Sequence, residues 1–134
     1  MIDVETQVLN RIAPALRTEF PDIFVTGEYV NAPSRFPAVF IVEQDNTVNR
    51  ASRDTTNVEN FADVMYQVDI YSNKNKGKKS ECKAIAAIVD EQFASLGFTR
   101  SFLNPVPNMD DATIYRMTGR WVATVSKNNV VYRR

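Results

Sequence analysis

The residues with chemical potential in this chain are a lone cysteine, a run of lysines and two pairs of aspartates, and its 134 residues include no histidine. Without histidine the commonest general base and the common zinc ligand are both missing, which argues against most hydrolases. Cys82 falls in the first turn of an expected helix beside Lys78, Lys79 and Lys83, a setting that can lower a thiol pKa. With no histidine to take its proton, a structural role is the expectation. Asp110 with Asp111, or Asp63 with Asp69, offers hard oxygen ligands, but neither pair has the spacing of a calcium loop, and solvated carboxylates are the expectation. Gly27, Gly77, Gly97 and Gly119 are scattered, so no phosphate-cradling loop forms from them. No catalytic or metal site, and no cofactor, is assigned, and an enzyme ranks last among the readings.

The strongest local charge feature is basic. Lys74, Lys76, Lys78 and Lys79, followed by Lys83, sit where the second helix begins, so helix amides and ammonium groups together form a candidate phosphate contact. The competing reading is a solvated turn, and it is preferred. Tyr66, Tyr115 and Trp121 stand at core spacing on strands with no basic stripe between them, which favours burial over a base-stacking platform. Lys and Arg total 16 against 16 Asp and Glu, so no global field draws the chain to nucleic acid.

The elements that must position these groups follow from periodicity. At 44% hydrophobic and 24% charged, 134 residues suffice for one domain with one real core. Val64, Tyr66, Val68 and Ile70 alternate with Met65, Gln67, Asp69 and Tyr71, the period-two signature of a strand with one buried face. After a polar run, Ile85, Ile88, Val89, Phe93 and Leu96 form one stripe of a helix starting near Ser80. Gly97 is placed to take the left-handed position, and Phe98 to fold back on Phe93, as in a Schellman cap.

Upstream, Asp3 is an N-cap candidate, and Val4, Val8, Ile12 and Leu16 mark a first helix, with Pro14 expected to bend it and Phe20-Pro21 to end it. Residues 23–30 predict a short strand, Asn31-Ala32-Pro33-Ser34 a turn, and 38–42 a strand crossing the middle of a sheet. Residues 44–60 turn polar and read as a long insertion, either a functional loop or a hairpin projecting past the sheet.

Downstream, 98–103 predicts a strand and 104–108 a rigid loop. A long strand from Thr113 to about Val125 follows, burying Tyr115, Met117, Gly119, Trp121, Ala123 and Val125 opposite Arg116, Thr118, Arg120 and Thr124. Gly119 is expected to mark a bulge or a close crossing of the first helix. Residues 127–129 turn the chain back through Val130, Val131 and Tyr132. The fold class is therefore α+β: a mainly antiparallel sheet of about five strands with two helices packed on one face, in a single domain spanning 1–134. With one cysteine, a charged first helix and no apolar run long enough for a membrane span, a soluble protein made in the cytosol is expected.

The succession GEYVNAPSRFPAVFIVEQDN, VMYQVDIYSNK, KSECKAIAAIVDEQFASLGFTRSF and NPVPNMDDATIYRMTGRWVATV resembles, over nearly the whole chain, tail terminator or tail-completion proteins of long-tailed bacteriophages and prophages. The likeness lies in element order and size. It implies a non-catalytic virion structural protein, an α+β subunit of a homo-hexameric ring that caps the tail tube and joins it to the head. The partners implied are further copies of the chain, the tail tube protein and a head–tail connector protein, with DNA passing through the ring without specific binding. The resemblance carries no contact residues across. From composition alone, Val48, Arg50, Arg53, Asp54 and Val58 in the polar insertion are the inferred subunit interface. A head-closure or neck connector subunit is the nearest alternative, and a small nucleic-acid-binding module using the lysine run is the next.

Overall fold

A strand that alternates apolar and polar residues buries one face only if a second layer covers it, and two helices supply that layer here. The computed structural model describes residues 1–28, 33, 35–48, 61–107, 113–126 and 131–132. The elements in chain order are α1 (Glu5–Glu19), β1 (Phe24–Thr26), β2 (Ala38–Val48), β3 (Phe61–Ser72), α2 (Lys78–Ser95), β4 (Thr99–Val106), β5 (Tyr115–Ser126) and β6 (Val131–Tyr132). The sheet runs β1-β2-β3-β5-β4, with the two-residue β6 also paired to β5. All pairings are antiparallel except β1 with β2, so the sheet is mixed, and the fold is the α+β class expected.

The long strand pairing Phe61↔Ser126 through Ser72↔Tyr115 sets the register of the whole sheet. It brings Val64, Tyr66, Val68 and Ile70 of β3 onto the same face as Met117, Trp121, Ala123 and Val125 of β5, where all are buried. Val39 and Ile41 of β2 join them, and Val8, Ile12 and Leu16 of α1 with Cys82, Ile85, Val89 and Phe93 of α2 close the core from above. Its densest part is aromatic. Phe93 stacks on Trp121 with ring centroids 5.0 Å apart, and Phe98 lies 5.1 Å from Phe93 and 5.9 Å from Tyr66. Such pairs add ~0.5 to 1.5 kcal/mol each beyond area burial.

The end of α2 follows its residue types. Gly97 has φ 93°, its N–H bonds to the Ala94 carbonyl at 3.0 Å, and the Phe98 N–H reaches the Phe93 carbonyl at 2.9 Å. This is the Schellman geometry, with the Phe98–Phe93 ring contact as its apolar partner. At the other end α2 starts at Lys78, two residues before Ser80, behind Gly77 at φ 82°. The Asp3 carboxylate accepts the Glu5 N–H at 3.0 Å, while the helix proper begins one residue later than an Asp3 cap implies. Pro14 is accommodated inside α1, where the Thr18 hydroxyl donates to its carbonyl at 3.0 Å.

β2 continues past Val42 to Val48, with a register shift between Glu43 and Asp45, so 44–48 are strand, which the hairpin reading of 44–60 allows. Two expectations need correction. β4 runs through Asn104, Pro105 and Val106, where a rigid loop was expected; Pro105 is tolerated because, among the described residues, β4 pairs with β5 alone. Gly119 marks neither a bulge nor a helix crossing. A Cβ there would come within 2.8 Å of the Trp121 ring and 3.0 Å of Leu103, so the space that glycine leaves is filled by a same-face neighbour two residues on.

Candidate functional site

The inferred interface begins where β2 ends. Val48 pairs with Ala62 and is 36% exposed; with Met1 it is one of two large hydrophobic residues exposed among the described residues. Arg50, Arg53, Asp54 and Val58 lie outside the described residues, as do Asp110, Asp111 and the turn at 127–129. β1 pairs with β2 only through Phe40, so from Ile41 to Val48 the outer edge of β2 carries no strand among the described residues. The irregularity at Gln44 and the carboxylates of Glu43 and Asp45 are devices that discourage indiscriminate edge pairing there.

The lysine run is spread around the start of α2. Lys74, Lys76 and Lys79 are exposed, and the Lys78 ammonium donates to the Thr113 carbonyl at 3.3 Å. Cys82 is not the activated thiol that neighbouring lysines suggest. It is fully buried, its Sγ lies 3.7 Å from the Tyr115 carbonyl and 3.9 Å from that of Ile70, and burial, with Glu81 adding to it, pushes its pKa up to about 12. The helix turns the side chain into the core, away from the ammonium groups. Tyr66 and Trp121 are fully buried, and Tyr115 is half-buried against the same core.

Asp63 and Asp69 cannot share a cation. They sit six residues apart on one strand, roughly 20 Å at ~3.3 Å per residue. Each also has its own partners: the Thr124 hydroxyl donates to Asp63 at 2.7 Å, while Asp69 accepts from Arg116 at 3.0 Å and from Thr118 and Gln67. Asp69 is fully buried, and those donors offset the cost of removing its charge from water.

That carboxylate organises the sheet face turned away from the helices. Arg116 lies over the Tyr71 ring at 5.6 Å, Arg120 over Phe102 at 5.6 Å, and Arg35 over Phe24 at 5.7 Å, while Phe40 links Phe24 to Tyr71. Arg120 also donates to Gln67 at 3.2 Å, and Arg35 to the Asp22 carbonyl at 2.8 Å. Flat guanidinium groups on aromatic rings hold this face in a fixed arrangement. The alternation of β5 already put Arg116, Thr118 and Arg120 opposite the core; their pairing with Gln67 and Asp69 depends on strand register, which the alternation does not encode.

An open groove of about 540 Å³ lies between α2 and β4–β5, lined in part by Lys83, Asp90, Arg100 and Leu103. Its carboxylate at Asp90 is committed, accepting from the Trp121 indole at 3.0 Å and from Arg100 at 3.1 Å. Among the described residues, the one group of acidic side chains placed to share a metal ion is Asp3, Glu5 and Glu43. No protein-family model matches the chain, and no curated protein shows significant similarity to it.

Proposed function

We propose that this chain is a structural subunit of a phage tail, a tail terminator or tail-completion protein that assembles into a homo-hexameric ring, caps the tail tube and meets a head–tail connector protein. The observation that carries this reading is the exposure of Val48 at the end of β2, beside an edge that has no neighbouring strand among the described residues. An apolar side chain held in water on a paired strand gains by burial against another copy of the chain. Arg50, Arg53, Asp54 and Val58, assigned to the same interface from composition, follow within the next ten residues of the sequence. The role is mechanical rather than catalytic, and DNA passes the ring without being gripped.

Shortening 49–60 to a tight turn tests the assignment. Circular dichroism and the unfolding transition should be close to those of the full chain, while ring formation and head–tail joining in reconstitution are lost. Rings and completed tails formed normally by the shortened protein would remove the hairpin from the interface.

A further inference from the structure

We infer that Asp3, Glu5 and Glu43 bind a hard divalent cation of calcium size, clipping the start of α1 to β2. One carboxylate oxygen from each lies within 4.8 Å of the other two. Oxygens bound to one calcium ion at ~2.3 to 2.6 Å stand at most about 5 Å apart, so a single ion can reach all three. The ligands come from separate segments: Asp3 precedes α1, Glu5 opens it, and Glu43 stands on the helix side of β2. Gly27 makes room for the second, since a Cβ there would come within 3.0 Å of Glu5 Oε1. Asn46 holds the arrangement together by donating to the Ile2 carbonyl at 2.7 Å.

An acidic cluster at a helix N-terminus has an ordinary explanation in the helix dipole, so the second observation decides the matter. Tyr66 lies directly across the strand pair from Glu43 and is fully buried, and its hydroxyl has no hydrogen-bond partner among the described residues. Tyr66 and Glu43 occupy paired positions on the helix side of the sheet, and after burial it is Glu43, Asp3 and Glu5 that push the hydroxyl pKa up. A buried hydroxyl left without a partner is costly, and a water carried by the ion supplies one. The charged groups acting on Glu43 are also all acidic, namely Asp3, Glu5 and Asp45, with Asn46 as the neutral hydrogen-bond partner. An oxygen-only ligand set with surplus negative charge selects a hard cation over a soft one.

The test uses the full chain after chelator treatment, titrated with calcium chloride by calorimetry and followed by thermal unfolding, with sodium chloride at matched ionic strength as control. Saturable binding and a calcium-dependent rise in Tm are expected. Glu43→Gln and Asp3→Asn should weaken binding by about tenfold or more, the scale on which lost metal-site groups act. Glu43→Gln relieves repulsion, so it should fold normally and melt higher than the parent when no ion is added, while no longer responding to calcium. A parent response no larger than the sodium chloride control, or calcium binding unchanged in both variants, overturns the assignment.

Discussion

The indole N–H of Trp121 donates to Oδ1 of Asp90 at 3.0 Å, joining the largest buried side chain of β5 to a helix residue 31 positions earlier. The other oxygen of Asp90 takes Arg100 at 3.1 Å, so one carboxylate ties α2 to both β5 and β4. Because Trp121 stacks on Phe93 from the same helix, that hydrogen bond fixes the orientation of the aromatic core as well as its depth.

Replacing Asp90 by alanine should therefore destabilise the domain by about 1 to 3 kcal/mol, the cost of leaving the indole donor unsatisfied. The Arg100 half of the contact is solvent-exposed and adds little. Trp121 is the only tryptophan in the chain, so urea unfolding followed by its fluorescence measures the change at the site itself.

A pH dependence is expected from Glu43. Burial, followed by Asp3, Glu5 and Asp45, raises its pKa above the ordinary 4.5, against a smaller lowering by Asn46. The folded state thus holds this proton more tightly than the unfolded chain. Its contribution to stability is complete below about 4.5 and is lost as pH rises through the raised folded value. Glu43→Gln should match the parent in acid and exceed it progressively towards neutral pH, in melts recorded without divalent cations. A constant difference across that range would show that Glu43 is not the group responsible.

The native thiol should be silent. With Cys82 buried and its pKa pushed up to about 12, a thiol reagent should modify the protein only on unfolding. That makes Val48→Cys a clean reporter: rapid labelling is expected in the free subunit, and strong protection once the ring has formed. Equal labelling rates in both states would place Val48 outside the interface.

Much of the fold was legible because its signals are local. The alternation through Val64, Tyr66, Val68 and Ile70 marked a buried strand face, and Leu96-Gly97-Phe98 marked a helix end with its apolar contact. What escaped reading depends on neighbours remote in sequence. The polar composition of 44–60 left loop and hairpin both open, and what decides for strand at 45–48 is pairing with Ala62 through Met65. Gly119 is required by the Trp121 ring, a demand on side-chain direction that alternation alone does not express. The candidate sites divide in the same way. Lysine spacing was visible in the sequence, whereas the Asp3, Glu5, Glu43 and Tyr66 grouping exists only once the start of α1 is set against β2 and β3.

Assembly of six subunits would appear first as mass. Sedimentation or light scattering of the purified chain, alone over a wide concentration range and again with purified tail tubes, should show a species of six times 15.2 kDa in at least one condition, with electron microscopy placing a ring at the tube end. A mass that stays at one subunit in every condition, with bare tube ends, would rule out the ring.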